Sequence, residues 1–129
     1  MNNTKILNSI GESLITECFE SSRKKFESVR NHKNPPEIYS ELSNMLKRIN
    51  NLDFAILEKG VVDVLSGYTF NILRFFEEQS SNPNGKFRLI YEEDGVQYDL
   101  TEISENLKAE PIIEGGWIDR FSKYGRVKE

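Results

Sequence analysis

FRLIYEEDGVQYDLTE, residues 87–102, decides the fold class, because here the apolar spacing changes from a helical period to an alternation of two. Asp94-Gly95 supplies a two-residue turn of the kind that requires positive φ angles. One register satisfies both turn and alternation, and it makes three cross-strand pairs: Glu93 with Val96, Tyr91 with Tyr98, and Leu89 with Leu100. The sequence therefore predicts an antiparallel hairpin over residues 87–92 and 96–101.

The apolar face of this hairpin contains Phe87 together with Leu89 and the two tyrosines, whereas the opposite face is mostly polar. An isolated hairpin is barely stable in water, so the apolar face must cover another element. We expect it to lie on the helices that precede it in the chain.

Residues 4–79 have helical spacing and predict three helices. The first runs from Thr4 to about Val29, and its apolar stripe includes Cys18, which we expect to be buried as a small apolar residue. Residues 34–36, Asn-Pro-Pro, end this helix. The second helix covers roughly residues 36–50.

The third helix begins after Asp53 and keeps its apolar spacing to Phe76. Its apolar residues occupy two sides, which predicts a central helix packed on both. Gly60 and Gly67 lie seven residues apart on one side, where they could admit another element, or Gly60 could break the segment into two helices. One long helix is the preferred interpretation.

Three short elements are predicted after the hairpin. Residues 101–109 form a short helix capped by Thr101 or Ser104, and residues 112–113, Ile-Ile, form a brief third strand. Trp117, Phe121 and Tyr124 then share one side of a closing helix that Gly125 ends. We expect Trp117 to be buried against the third helix or the hairpin; the alternative is an exposed anchor for a partner.

The chain has 129 residues, which predicts one domain over residues 1–129. Its expected class is α+β, with a helical part over residues 4–79, and the hairpin and short helices over residues 86–125. The C-terminal part has room for a small sheet.

The residue types that build catalytic and metal sites are scarce. The chain has one cysteine and one histidine, too few for a disulfide or a common zinc site. It has no glycine-rich phosphate loop and no nucleophile motif, so we expect neither an enzyme nor a cofactor. No apolar run is long enough to span a bilayer, and the first residues lack a signal-peptide pattern. The expected location is the cytoplasm.

The charge is concentrated in one stretch. The net charge is −4, and residues 92–114 hold eight acidic residues and one base, Lys108. Such a stretch repels phosphate and suits a basic protein partner, although a plain solvated face is the alternative. The candidate partner-binding residues are Glu92, Glu93, Asp94, Asp99, Glu102 and Glu105.

The C-terminal part also resembles small bacterial proteins encoded beside toxin genes. The resemblance rests on residues 62–63 (VD), 73–78 (LRFFEE), 99–107 (DLTEISENL) and 116–125 (GWIDRFSKYG). It covers about half of the chain, and it implies an immunity protein that binds and blocks a cognate toxin. No functional residue is carried over, because immunity proteins contact their toxins in different places.

Two functional classes follow from these observations. The first is a cytoplasmic inhibitor that binds a basic toxin domain. The second is a structural or regulatory module that forms a homodimer through its long helices.

Overall fold

The computed structural model describes residues 2–123, in which helices precede a single hairpin and short helices follow it. The helices are α1 (Asn3–Leu14), α2 (Glu20–Asn31), α3 (Ser40–Arg48), α4 (Asn51–Gln79), α5 (Leu100–Ile103) and α6 (Trp117–Phe121). The strands β1 (Ile90–Glu93) and β2 (Val96–Asp99) form a two-stranded antiparallel sheet. The expected α+β class is confirmed.

The hairpin has the predicted register. Glu93 pairs with Val96 and Tyr91 with Tyr98, around a turn in which Asp94 and Gly95 have φ angles of 52° and 79°. The strands are shorter than predicted, because the side chain of Asp99 accepts a hydrogen bond from the N–H of Thr101 and so starts α5.

The expected placement of Phe87 on the buried face is wrong. Its side chain is 67% exposed and contacts Phe75 of α4, with ring centroids 5.8 Å apart. Phe87 precedes the first paired residue, Ile90, and the alternation of a strand does not fix the direction of side chains outside it.

The predicted first helix is present as a continuous helical run from Asn3 to Asn31. Its middle, Ile15–Phe19, is π-helical and joins α1 to α2. A π turn holds an extra residue, so it shifts the residues that face the core. Ile15 and Phe19 are buried, whereas Cys18 is exposed, and its predicted burial is therefore wrong.

The predicted second helix corresponds to a 3-10 turn, Glu37–Tyr39, followed by α3, which packs against α2. Arg30 of α2 donates from Nε to the carbonyl of Leu46 and from Nη2 to the carbonyl of Ile49, at 3.1 and 3.0 Å. These carbonyls lie at the end of α3, where they have no partner within the helix. Arg30 therefore fixes the end of α3 to α2.

The predicted third helix is α4, which runs without a break through Gly60 and Gly67. It is not packed on two sides as predicted. Within α4 only Val62 and Leu73 are buried, and most of its other large apolar side chains are exposed. The first helical run and the 3-10 turn of residues 107–109 pack against α4 on the side of Val62 and Leu73, whereas Val64 and Tyr68 on its other side are exposed.

Residues 104–116 form turns that bring the chain back to α1. The predicted helix over residues 101–109 is divided into α5 and a 3-10 turn, Leu107–Ala109, and α5 is capped by Asp99 rather than by the predicted residues. The predicted third strand is wrong, because the N–H groups of residues 112 and 113 both donate to the carbonyl of Ala109. Gly115, with a φ of 72°, and then Gly116 lead into α6.

Trp117 is buried, as predicted, with 1% of its surface exposed. The ring lies on Gly11 of α1, a contact that was not predicted, within a cluster that also contains Val62 and Leu73 of α4. A Cβ atom at position 11 would be 2.6 Å from three ring carbons, which is shorter than a van der Waals contact allows. Tyr124 and Gly125, which were predicted to complete the closing helix, lie outside the described residues.

The buried apolar side chains of both halves of the chain form one cluster. It contains Ile6, Ile15 and Phe19 from the first helical run, Val62 and Leu73 from α4, and Leu100, Leu107, Trp117 and Ile118 from the C-terminal part. The C-terminal part therefore completes a core that α1 and α4 begin.

Replacing Gly11 with Ala tests the contact with Trp117. Alanine favours a helix by about 1 kcal/mol over glycine, but here the added methyl group must displace the indole. We expect a net loss of about 1–3 kcal/mol in the free energy of unfolding, measured by urea denaturation. In a Trp117→Leu background the same substitution should cost little or stabilise the protein. An equal loss in both backgrounds would contradict the contact.

Candidate functional site

The six predicted partner-binding residues, Glu92, Glu93, Asp94, Asp99, Glu102 and Glu105, are called the acidic surface below. The hairpin places its members of this set on different faces. Glu92 and Asp99 share one face of the ribbon, because their cross-strand partners are Gln97 and Ile90. Glu93 belongs to the other face, and Asp94 lies at the turn. The surface is therefore an edge with two sides rather than one flat patch.

Arg88 joins two members of the acidic surface. Its Nε donates to Oδ2 of Asp99 at 3.0 Å, and its Nη2 lies 3.6 Å from Oε1 of Glu102. Partial burial by itself raises the pKa of Asp99, but hydrogen bonds from Thr101 and Arg88 outweigh burial and lower it below 3.8. The carboxylate of Asp99 is therefore engaged in hydrogen bonds within the protein, whereas the side chain of Glu102 is 72% exposed.

The carboxylates near the hairpin turn are more accessible. Glu92 is exposed and accepts a hydrogen bond from Nε2 of Gln97 at 3.2 Å. Partial desolvation, and then the nearby carboxylate of Glu93, raise the pKa of the Tyr91 hydroxyl. Asp94 and Glu105 are exposed. Four carboxylates, those of residues 92, 94, 102 and 105, are thus available to a partner.

Lys108, the one base of residues 92–114, does not neutralise the acidic surface. Its N–H and its Nζ donate to the two carboxylate oxygens of Glu77 in α4, each at 2.9 Å. Burial raises the pKa of Glu77, but the hydrogen bonds and the charge of Lys108 outweigh burial and lower it below 4.5. This pair holds the 3-10 turn of residues 107–109 against α4.

A second polar cluster lies between α2 and α4. Nη2 of Arg23 is 3.7 Å from Oε1 of Glu58, and both side chains are largely buried. Burial and the neighbouring carboxyl of Glu27 raise the pKa of Glu58, and Arg23 partly offsets them. Glu20, also buried, accepts a hydrogen bond from the hydroxyl of Ser122. These contacts tie α2 to α4 and to the end of the described chain.

The side chains of Cys18 and His32, which could act as a nucleophile and its base, are far apart. Cys18 lies in the π-helical segment, whereas Nδ1 of His32 accepts a hydrogen bond from the N–H of Asn34 after α2 has ended. The helical rise separates them by about 20 Å. Among residues 2–123 no three His, Cys, Asp or Glu side chains converge in a way that could hold a metal ion. The helices in this range are also too short or too polar to cross a membrane.

A cleft of about 120 Å³ lies beside the acidic surface, between the end of α4 and the base of the hairpin. Its lining mixes both charge signs, with Lys86 and Arg88 opposite Asp99 and Glu102. Typical sites for small ligands measure roughly 300–1,000 Å³, so the size of this cleft favours no small molecule.

One surface is not predicted from the sequence, a row of exposed apolar side chains along α4. It is called the α4 stripe below and consists of Leu57, Val61, Val64, Tyr68, Ile72 and Phe75. All but Val61 are exposed, Val64 and Tyr68 by 70% and 65%. The width of the apolar face could have predicted this exposed row, because one core cannot cover both sides of a helix at the edge of a small protein.

Comparison with known protein families, curated proteins and solved structures finds no match for this chain. The segments that carry the resemblance to immunity proteins supply much of the core: Val62, Leu73, Leu100, Leu107, Trp117 and Ile118. Those residues account for packing and identify no binding surface.

Replacing Glu77 with Gln tests the link that positions the acidic segment. A lowered folded-state pKa means that Glu77 stabilises the protein above its ordinary pKa of 4.5 and that this stability is lost as pH falls through the lowered value. We expect Glu77→Gln to reduce the free energy of unfolding by about 1–2 kcal/mol at neutral pH, and by less in acid.

The neighbouring substitution Glu78→Gln is the control for denaturation at both pH values. The side chain of Glu78 is 69% exposed and contacts only Arg74 within the described residues, at 3.8 Å, so little change is expected. A loss of stability in Glu77→Gln that did not depend on pH would contradict a role for its charge.

Proposed function

We propose that the protein is a binding protein that inhibits a basic protein partner, in the manner of an immunity protein that neutralises a toxin. The observation that carries this proposal is the set of accessible carboxylates at residues 92, 94, 102 and 105, held on the hairpin, the short helix after it and the bend that follows this helix. Of the nearby bases, Lys108 pairs with Glu77, and Arg88 is shared between Asp99 and Glu102, whose side chain is still 72% exposed.

The shape of the acidic surface supports recognition of a protein. A hairpin edge projects charge on two sides of a narrow ridge, which can enter a cleft lined by lysine and arginine. Opposite charges of this kind raise the rate of association, and they suppress binding of acidic partners. Phosphate is repelled for the same reason, so nucleic acid is a poor partner for this surface.

The resemblance to immunity proteins adds the identity of the partner class to the proposal. The resembling segments supply core residues, and the contact residues are therefore taken from charge and exposure on the hairpin and on residues 102–105. Under this proposal the protein has no catalytic role, and its effect on the partner is to cover the partner's basic active or binding surface.

Reversing the charge of the acidic surface tests the proposal. The double variant Glu92→Lys with Glu102→Lys changes two exposed side chains, so the fold should be retained. We expect its association with the basic toxin domain that the resemblance to immunity proteins implies to slow by at least tenfold at low salt, with a smaller difference at high salt. Stopped-flow fluorescence measures the rates, and co-expression measures protection of growing cells.

The matched control is Glu37→Lys with Glu41→Lys, which makes the same charge change at exposed positions before and within α3. It should alter association much less than the hairpin variant does. Equal rates for both variants would show that net charge, not the acidic surface, governs binding. An absence of binding by the unmodified protein would overturn the proposed partner.

A further inference from the structure

The α4 stripe has the spacing of a coiled-coil seam. Its residues follow one another at steps of four and three, from Leu57 through Val61, Val64 and Tyr68, and Phe75 lies seven residues after Tyr68. A seam with this 3.5-residue average is the surface that a second helix packs on. Phe87, packed on Phe75, lengthens the apolar row beyond the last turns of α4.

Two glycines border the seam on one edge. Gly60 and Gly67 are exposed, and a Cβ atom at either position would meet nothing within 4 Å. Each glycine costs a helix about 1 kcal/mol relative to alanine, and nothing packed on them within the described residues offsets that cost. A surface of small residues allows the backbone of another helix to come close.

The same edge has opposite charges at its two ends. Asp53, Gly60, Gly67 and Arg74 follow one another at intervals of seven residues, so they form a single row beside the seam. Suppose that two α4 helices pack antiparallel about a two-fold axis between residues 63 and 64. Asp53 of one copy then lies opposite Arg74 of the other, and Gly60 lies opposite Gly67. A parallel copy would instead bring like charges together at each end.

We infer that the α4 stripe is a self-association surface, on which a second copy of the chain packs its own α4 antiparallel across a two-fold axis near Val64. The occupant is a second copy because an antiparallel copy of the same row places an acid opposite a base at each end and a glycine opposite a glycine in the middle. Such a symmetric arrangement uses the same patch on both subunits. Arg74 is available for it, since its contact with Glu78 is exposed and long at 3.8 Å.

The size of the surface sets the strength of the contact. The row from Asp53 to Arg74 is roughly 30 Å long and, with side chains, about 10 Å wide, which gives a footprint of about 300 Å² per copy. Stable complexes bury about 800 Å² per partner, so the α4 contact forms a weak, reversible dimer. This inference does not rest on the proposed function, because the acidic surface lies on other elements.

Replacing Val64 with Glu tests the dimer by sedimentation velocity from low to high micromolar concentration. The unmodified protein should shift from monomer to dimer over this range. Val64→Glu places two carboxylates near the two-fold axis, and we expect the dissociation constant to rise at least tenfold. The control is Ile56→Glu, an exposed apolar residue of α4 outside the seam, 60% exposed, which should leave the shift unchanged.

Disulfide trapping tests the antiparallel direction. In a Cys18→Ser background, Asp53→Cys with Arg74→Cys should form covalent dimers through a bridge between positions 53 and 74, identified by peptide mass spectrometry. Each single cysteine variant should form few. A monomer at all concentrations, equal effects of Val64→Glu and Ile56→Glu, or bridges formed efficiently by the single variants would each overturn the inference.

Discussion

The indole of Trp117 lies on the backbone of α1 at Gly11, and this contact joins the two ends of the described chain. The hydrogen bonds between backbone groups of residues 106–122 close turns within the segment itself, so its packing on α1 depends on where the ring is received. Only a residue without a side chain can receive it there. Once Trp117 is in place, Ile118 and Leu107 are buried beside the first helical run and α4, and the apolar cluster is complete. A burial of this size contributes several kcal/mol, which is a large fraction of the stability of a small domain.

This arrangement decides which side of α4 is covered. The C-terminal segment and the first helical run lie on the side of Val62 and Leu73, and they leave the α4 stripe exposed. The cost of an exposed apolar row is a risk of non-specific association. The glycines and the opposite charges beside the row restrict which helix can pack there and in which direction. The long helix thus has one side that holds the protein together and one side available to a second molecule.

The charges of the C-terminal half have two distinct uses. Asp99 and Glu77 are partly buried, and each is fixed by a basic partner and by backbone N–H groups, so they stabilise the turns that follow the hairpin. The carboxylates of residues 92, 94, 102 and 105 are exposed and contribute little to stability. Under the proposed function, they act on the approach and recognition of a basic partner. A count of acidic residues along the sequence combines the two groups, and only the hydrogen bonds distinguish them.

Local rules of the sequence determined the hairpin and the long helices. The Asp94-Gly95 turn and the alternation of apolar residues involve neighbours in the chain, and so they fixed the register without knowledge of the rest. Tertiary structure decided the remainder. The apolar pattern of α4 is the same whether its second side meets the core or solvent, and only the burial of Val62 and Leu73 shows which side is covered. The π-helical turn likewise placed Cys18 outside the core. A π turn changes which side chains face the core, and the apolar spacing of the sequence does not reveal where such a turn lies.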